Sequence, residues 1–471
     1  MDKHKHSVLV PSMDALIGDP KLVRPNVNTK KKADKLLIPS GYVDKLSAFS
    51  EEYLSGRGES ARDLLHSFAE ILRFQHEEQA IYTCDNGMLI EFTELETQPY
   101  PKSTTKQAIT VAKNAIDQGE TSLAILTGKD DVASRAYLSH IDVARINPEN
   151  YYGRRRLILT GKACNEWLHQ KHFTDKELLE YFGQDLIEKP LKPNEFVEFI
   201  IDEAEKNSYV TVDPNGFQHF IGRYSSNRGE LAQIHYFKDI SKLSKNCIYP
   251  KTAGQAMLLE ALLAPSEEIP IVICPSAFGT GKTFLAVAAG LALVKNKRSP
   301  FEEIFVVPRD SNLGAEIGFV PGSEFDKTIV KAMPIVDNIK SYIRLTEDVE
   351  NGKANLDKRS MNEIESYFEF RPLISMGGRS IPNAWIIYDE AQDMERYQIN
   401  QLMKRIGDNS KMIITGDPSQ VFNRHMNAYS NGLSYAATHM ANSPQAAIIS
   451  MNKNEIVRSE AAREIAAFLD Y

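Results

Sequence analysis

Residues 269–294 read IPIVICPSAFGTGKTFLAVAAGLALV, and their pattern indicates the fold of the C-terminal half of the chain. It begins as an apolar run typical of a buried strand, passes through a glycine-rich segment at 276–283, and continues as an apolar run long enough for a helix. The glycines of such a loop let backbone N–H groups turn toward an anion, and the helix N-terminus adds partial positive charge. The stretch therefore predicts a phosphate-binding loop in an α/β domain with a parallel sheet.

The loop offers the residue types that hold the phosphates of a nucleotide. We expect Lys282 to reach the β- and γ-phosphates and the hydroxyl of Thr283 to bind Mg²⁺. Ser276 stands where the usual pattern has its first glycine, and a serine can still turn there, with less freedom at positive φ. The expected phosphate cradle comprises Ser276, Gly279, Thr280, Gly281, Lys282 and Thr283.

Two further apolar strands end in polar residues. The segment 384–390, AWIIYDE, ends in Asp389, expected to bind Mg²⁺ through water, and Glu390, expected to polarise the attacking water. The segment 412–420, MIITGDPSQ, carries Asp417 and Gln420 after another strand. Ligands sit beyond the carboxyl ends of parallel strands, so Asp417 and Gln420 are expected near the γ-phosphate. Taken alone, Asp417-Pro418 also fits an ordinary surface turn.

Arg458 enters an amphipathic helix near the C-terminus. An arginine beside the γ-phosphate can stabilise transition-state charge, in cis or from a neighbouring subunit, although a solvated arginine at a helix start fits the same sequence. The region from residue 246 onward has room for one nucleotide-binding core and not for the two that clamp a strand in monomeric helicases. A single core that acts on a polymer is expected to form a homo-oligomeric ring, a hexamer, with sites at subunit interfaces.

Composition bounds the remaining possibilities. The 471 residues are 42% hydrophobic and 25% charged, as in ordinary globular proteins. The net charge of −8 gives no global basic field, so nucleic-acid binding would need a local groove. The four cysteines show no disulfide or metal spacing, and the longest apolar run, 284–294, is too short to span a bilayer. We expect a cytoplasmic protein without a membrane anchor.

Strand and helix patterns divide the chain into three regions. Residues 1–145 predict a small α/β domain with a parallel sheet, 146–245 a connector with a β-hairpin or meander, and 246–471 the nucleotide-binding α/β domain. The turn sequences DPNG at 213–216 and NRG at 227–229 indicate the hairpins. Basic runs such as 154–156 could line a polymer path, although a charge run is usually a solvated face.

Together these motifs resemble the PhoH-like ATPases, in the architecture with an N-terminal PIN-like domain. The matching segments are 279–283, 318–322, 378–383, 389–392, 415–420, 430–435 and 458–460, and the resemblance covers about residues 209–471. It implies a RecA-like P-loop core related to superfamily 1 helicases, ATP hydrolysis with Mg²⁺, and single-stranded RNA as the polymer, with DNA the other candidate. It also implies that Gln255 reads adenine, that Arg309 lies near the nucleic acid or the phosphates, and that Gln392 and Arg379 couple the nucleotide site to the polymer.

The N-terminal resemblance departs from the PIN pattern at its acidic positions. Ser12 stands where the first metal-binding aspartate is expected, with Asp14 two residues on, and Asp44 falls at the second acidic position. Lys129 takes the place of the last carboxylate, beside Asp130-Asp131. A PIN-type nuclease needs three or four convergent carboxylates to hold divalent metal. The sequence therefore predicts a PIN-like domain without the full nuclease set.

Three functions remain open at this point. In the first, an ATP-driven RNA-remodelling motor or helicase carries a PIN-like domain that is largely structural or only binds RNA. In the second, Asp14, Asp44, Asp130 and Asp131 still assemble a metal site, and the protein is an ATP-coupled endoribonuclease. In the third, the ATPase is a nucleotide switch that drives assembly or protein remodelling and acts on no polymer. Stimulation of hydrolysis by single-stranded RNA separates the first from the third.

Overall fold

The computed structural model describes most of the chain in two compact units. One unit comprises residues 1–150 with 395–397 and 425–431, and the other comprises the remaining residues from 151 onward. The described residues are 6–18, 20–24, 33–51, 56–78, 81–94, 101–127, 130–145, 154–188, 190–201, 220–239, 248–308, 332–346, 353–371, 380–422, 426, 428 and 431–457. The predicted α/β class is confirmed, since parallel sheets with intervening helices occur in both units.

The N-terminal unit is built on a six-stranded sheet with the order β3-β4-β2-β1-β5-β6, parallel except for the β3–β4 pair. Its strands are β1 (Val8–Pro11), β2 (Lys35–Pro39), β3 (Tyr82–Thr83), β4 (Leu89–Thr93), β5 (Leu123–Thr127) and β6 (Asp142–Arg145). Its helices are α1 (Met13–Gly18), α2 (Tyr42–Ser50), α3 (Gly56–Glu78), α4 (Thr104–Asp117) and α5 (Asp130–Leu138). The central strands β1 and β5 are buried along their whole length, which explains why they read as continuous apolar runs.

A five-stranded sheet follows within the second unit. Its elements are β7 (Arg154–Leu159), α6 (Gly161–Gln170), β8 (His172–Thr174), α7 (Asp175–Glu188), β9 (Phe196–Ile201), β10 (Ile221–Ser225) and β11 (Glu230–Gln233). The order is β7-β9-β10-β11-β8, and β7 and β9 run parallel. We call residues 154–233 the five-stranded module. Trp167, Phe173 and Phe199 pack in its own core.

The module is larger than the hairpin or meander that the sequence predicts. The predicted turn at 227–229 is present between β10 and β11, where Gly229 has φ of +60°. The second predicted turn, 213–216, lies outside the described residues. The additional strands pair over long sequence distances, as β8 does with β11, so local alternation gives no sign of them.

The C-terminal sheet has six strands, all parallel, in the order β14-β13-β15-β16-β12-β17. Its strands are β12 (Ile271–Pro275), β13 (Glu303–Val306), β14 (Phe368–Phe370), β15 (Ala384–Tyr388), β16 (Lys411–Gly416) and β17 (Ala446–Ile448). The helices are α8 (Ala253–Leu263), α9 (Lys282–Val294), α10 (Met333–Thr346), α11 (Lys353–Tyr367), α12 (Arg396–Met403) and α13 (Gly432–Met440). In the described part of the chain no helix is long and apolar enough to cross a membrane.

Helix α9, which follows the glycine-rich loop, is fixed against strand β15. A Cβ atom at Gly290 would lie 2.6 Å from the ring of Trp385, so only glycine permits this approach. The indole N–H of Trp385 donates to the carbonyl of Ala286 at 3.0 Å. Strand β15 leads into Asp389 and helix α9 begins at Lys282, so this packing fixes the distance between these two predicted site residues.

Candidate nucleotide-binding site

The glycine-rich loop joins β12 to α9, as the sequence predicts. Gly279 and Gly281 have φ of +72° and +86°, values that favour glycine. The hydroxyl of Thr280 donates to the carbonyl of Ala277 at 2.8 Å and closes the turn. The loop therefore has a fixed curvature, with α9 beginning at its end.

The segment 449–457 holds the loop from behind. The backbone N–H of Met451 donates to the Ser276 hydroxyl at 2.8 Å, and that of Ala277 donates to the Met451 carbonyl at 3.0 Å. The N–H of Val457 donates to the Gly279 carbonyl at 3.1 Å. Ser276 is 1% exposed, so its hydroxyl serves this internal contact behind the loop.

The loop opens on a cavity of about 820 Å³, within the size range of small-molecule sites. Eight of the residues singled out from the sequence line it together: Gln255, Gly279, Gly281, Lys282, Thr283, Asp389, Glu390 and Gln420. Tyr249, Asn338 and Leu345 extend its wall, and nothing in the sequence pattern indicates them.

The side chains expected to hold metal lie side by side. The hydroxyl of Thr283 donates to Oδ2 of Asp389 at 2.8 Å, and the hydroxyl of Thr415 donates to Oδ1 at 2.5 Å. Hydroxyl and carboxylate oxygens are hard ligands of the kind that Mg²⁺ prefers, and Mg²⁺ usually keeps several waters beside such protein ligands. Sequence reasoning missed Thr415, although it stands two residues before Asp417 in the same motif.

Gln392 joins the two carboxylate-bearing loops. Its buried amide Nε2 donates to Glu390 Oε2 at 2.5 Å and to the Gln420 carbonyl at 3.3 Å, while its Oε1 accepts from the Asp417 N–H at 3.0 Å. The N–H of Phe422 donates to Asp393 Oδ1 at 2.9 Å. These contacts, which we call the clasp, tie the turn 390–393 to the loop 417–422.

Glu390 itself has φ of +61°, in the left-handed region that a glutamate rarely adopts. Backbone strain of this kind persists only where the surroundings over-determine it, and it is concentrated at functional sites. In this structure the clasp and the end of β15 fix the strained residue.

Asp417 lies behind the loop rather than on the cavity wall. It is 4% exposed, and its Oδ2 accepts from the Phe278 N–H at 2.8 Å. Its Oδ1 accepts from both the N–H and the hydroxyl of Ser419, at 3.0 and 2.7 Å. Through these contacts Asp417 stabilises the glycine-rich loop from behind. The sequence pattern instead predicts that Asp417 lies near the γ-phosphate.

Gln255 lines the cavity, and both ends of its amide contact backbone. Oε1 accepts from the Lys251 N–H at 2.8 Å, and Nε2 donates to the Thr280 carbonyl at 2.8 Å. To read a base, the amide would have to exchange these contacts. Its present contacts support the loop.

Several predicted residues lie outside the part of the chain that the structure describes. They are Arg309, Arg379, Arg458 and the segment 318–322, together with 378, 430 and 459–460 of the matching motifs. Val457 is described, and it lines the cavity.

The acidic residues singled out in the N-terminal unit have different surroundings, and each has its own structural explanation. The hydroxyl of Ser12 donates to Asp14 Oδ1 at 2.6 Å, and that of Thr127 donates to the same carboxylate at 3.1 Å. Asp44 lies in the first turn of α2, where a negative charge favours the helix dipole. Asp131 is exposed in α5, and the side chain of Asp130 is outside the description. Among the described residues, no three or more His, Cys, Asp or Glu side chains form a group that could hold a metal ion.

The strand, glycine-rich loop, helix and carboxylate-bearing neighbouring strands define a P-loop nucleotide-binding domain. Residues 247–470, slightly less than half of the chain, match the family described as PhoH-like protein. The predicted family is thus confirmed for the C-terminal part, while the PIN-like character of residues 1–145 stays a prediction.

Three relatives illustrate the range of similarity. Protein PhoH2 of Bacillus subtilis (strain 168) is 33% identical over 208 residues, 44% of this chain and 45% of that protein. Protein PhoH2 of Thermobispora bispora is 32% identical over 205 residues, 44% of each chain. A PhoH-like protein of Bacillus subtilis is 27% identical over 322 residues, 62% of this chain and 93% of that protein. The chain spans less than half the length of the two PhoH2 proteins that it matches.

Proposed function

We propose that the protein is a Mg²⁺-dependent ATPase that uses hydrolysis to remodel single-stranded RNA, as a motor or helicase-type enzyme. The observation that carries the ATPase part is the convergence of Lys282, Thr283, Asp389 and Glu390 on one cavity beyond the carboxyl ends of β12 and β15. The family of residues 247–470 supports the same assignment.

The mechanism assigns one task to each element. The backbone of the loop and the N-terminus of α9 bind the phosphates, and the ammonium of Lys282 balances charge on the β- and γ-phosphates. Thr283 and Asp389 would hold Mg²⁺, which when bound neutralises the charge that develops on the phosphate oxygens. Glu390 orients a water in line with the γ-phosphate and accepts its proton, and Gln420 hydrogen-bonds that water or the γ-phosphate.

The clasp is the structural feature that supports the proposed coupling between ATP hydrolysis and a bound polymer. One end of the clasp is the Glu390 carboxylate, and the other is the backbone of Phe422, whose side chain is 68% exposed. Exposed aromatic rings are the platforms on which unpaired bases stack. A shift of the loop 417–422 would reach Glu390 through Gln392, consistent with the coupling role that the family resemblance gives to Gln392.

We also propose a homo-oligomeric ring, a hexamer in the cytoplasm, in which Arg458 of one subunit completes the site of its neighbour. The second unit supplies one nucleotide core for each chain. Several copies of such a core can surround a polymer when they assemble into a closed ring. Rings mixed from Arg458→Ala and Glu390→Gln subunits should recover hydrolysis, because some interfaces then pair an intact arginine with an intact glutamate. Mixtures no more active than either variant would show that the arginine acts within its own subunit, or not at all.

Steady-state ATP hydrolysis with Mg²⁺, measured with and without single-stranded RNA while the RNA is followed on a gel, tests the proposal. We expect stimulated hydrolysis and intact RNA. A rate of hydrolysis that does not change with RNA would favour the nucleotide switch. The net charge of −8 favours the same alternative, because an acidic protein does not attract nucleic acid in general. RNA cleavage that is lost in Asp14→Asn or Asp44→Asn would favour the endoribonuclease.

A further inference from the structure

Three consecutive arginines begin strand β7, and the structure pairs each of them with glutamate. Arg155 donates from Nε to Glu195 at 2.9 Å, and Arg156, which is 60% exposed, donates to Glu198 at 3.1 Å. Arg154 is 12% exposed and donates to both Glu198, at 2.8 Å, and Glu455, at 2.6 Å. The run therefore forms ion pairs, where the sequence suggests a polymer path or a solvated face.

Arg154 differs from its neighbours because it reaches out of the five-stranded module. Glu198 belongs to β9 of the same module, but Glu455 belongs to the segment 449–457 that supports the phosphate-binding loop. Burial alone would lower the pKa of Arg154, yet the carboxylates of Glu455 and Glu198 outweigh it and raise that pKa. The guanidinium is thus a permanent positive charge shared by two elements.

Glu455 is nearly buried, at 7% exposed, and its side chain contacts Arg154 and two backbone N–H groups of the nucleotide core. Its Oε1 accepts from the Gly254 N–H in the first turn of α8 at 2.8 Å, and its Oε2 accepts from the Asn452 N–H at 3.2 Å. A Cβ atom at Gly254 would lie 2.8 Å from Glu455 Oε1, so glycine permits this approach. A buried carboxylate in this position requires a cation, and Arg154 supplies it.

Two short routes lead from Glu455 to the phosphate-binding loop. Along the first, Val457, two residues on, donates its N–H to the Gly279 carbonyl at 3.1 Å. Along the second, Gly254 precedes Gln255, whose amide donates to the Thr280 carbonyl at 2.8 Å. Both carbonyls belong to the glycine-rich loop, so each route connects Glu455 to a contact that holds this loop.

We propose that Arg154 is a positioning residue for nucleotide binding, through which the five-stranded module controls the geometry of the phosphate-binding loop. The inference rests on the proposed function, since it concerns the same nucleotide site. By linkage, a ligand that displaces β7 weakens nucleotide binding, and bound nucleotide in turn stabilises the Arg154–Glu455 pair.

The test compares nucleotide affinity in the full chain with Arg154→Met and Arg156→Met, using a fluorescent ATP analogue and Mg²⁺. Arg154→Met should raise the dissociation constant and the KM for ATP about tenfold while kcat changes far less. Arg154→Lys should restore part of the affinity, because it restores the charge. Arg156→Met is the matched control: it removes an arginine from the same strand and the same Glu198, but not from Glu455, and should bind nucleotide as the wild type does.

A second variant keeps the inference testable if Arg154→Met does not fold. The double variant Arg154→Met/Glu455→Gln removes both charges and leaves no unpaired buried ion. It should fold and show the same affinity loss as Glu455→Gln alone, since the two residues act as one unit. An Arg154 variant or double variant that folds and binds nucleotide like the wild type would overturn the inference.

The two proposals fail in different ways. If the wild type binds the analogue no better than Lys282→Ala does, the nucleotide site itself is wrong. If the wild type binds well and the Arg154 variants lose only thermal stability, Arg154 is structural and the site stands.

Discussion

Two aspartates in this chain accept hydrogen bonds from the same kinds of side chain, and only one of them belongs to the nucleotide site. Asp14 follows β1 of the N-terminal sheet and accepts hydrogen bonds from the hydroxyls of Ser12 and Thr127. Asp389 follows β15 of the C-terminal sheet and accepts hydrogen bonds from the hydroxyls of Thr283 and Thr415. Each aspartate therefore lies beyond a parallel strand and is held by two hydroxyl groups.

The difference lies in what surrounds each carboxylate. Beside Asp389 are a loop with two glycines at positive φ, the buried Lys282 and a cavity of about 820 Å³. At Asp14, by contrast, only Ser12 separates β1 from α1, so no glycine-rich loop lies between the strand and the helix. A sheet edge provides a place for a site, but the site needs a cradle of donors for anionic phosphate and space for the ligand. Single substitutions in the two sheets test that distinction.

The largest expected effect concerns the cradle. Lys282→Ala removes the cation that balances the β- and γ-phosphates, so ATP hydrolysis should fall by about 10³-fold, comparable to the loss of other preorganised charge in active sites. Steady-state phosphate release measures it. Lys297→Ala, at an exposed lysine just beyond α9, should hydrolyse ATP as the wild type does. Normal turnover in Lys282→Ala would contradict the assignment of the phosphate site to the loop of the C-terminal sheet.

The next effect separates binding from chemistry. Glu390→Gln keeps an oxygen that can accept the hydrogen bond of Gln392 but removes the base, so turnover should fall by about 10² to 10³-fold. Nucleotide affinity should stay near the wild-type value, because Thr283 and Asp389 are intact. Equilibrium binding and single-turnover hydrolysis on the same preparation distinguish these two quantities. A variant that binds ATP weakly but turns it over at the normal rate would assign Glu390 to binding.

The sequence predicts the loop, the two strands that end in acids and their meeting at one sheet edge, because each is a local pattern and parallel strands share a direction. It does not predict where Ser276 and Asp417 turn, since the contacts that hold them, with Met451 and Phe278, come from distant segments. The sequence does not predict the full five-stranded module for the same reason, because its strands pair over long sequence distances. Local periodicity also cannot reveal an ion pair between Arg154 and a residue 301 positions away.

A smaller effect tests how the nucleotide core is held behind its site. Lys411, at the start of β16, is buried and donates to the carbonyls of Ala261 and Leu262 at the end of α8. Burial lowers the pKa of Lys411 to about 7, with the charge of Arg223 adding to the effect. The unfolded chain then holds more protons than the folded one from about pH 7 up to the ordinary lysine pKa, so stability should rise with pH across that window.

Denaturant unfolding at several pH values measures this dependence. The free energy of unfolding of the wild type should gain about 1 kcal/mol for each pH unit above 7, relative to Lys411→Met. Parallel pH profiles for the two proteins would mean that Lys411 stays charged in the folded state, with its three carbonyl contacts outweighing burial.

The smallest effect returns to Asp14 and decides what its two hydroxyl contacts are for. If Asp14 is structural, Asp14→Ala should lower the stability of the protein by about 1 kcal/mol through the lost hydrogen bonds and leave ATP hydrolysis unchanged. Asp131→Ala, at an exposed acid of the same unit, should change neither quantity. If Asp14 instead helps to hold metal, Mn²⁺ should raise the melting temperature of the wild type but not of Asp14→Ala, because a ligand stabilises only the state that binds it. That result would give the N-terminal sheet a metal site of its own, in which Asp14 has the role that Asp389 is proposed to have in the C-terminal sheet.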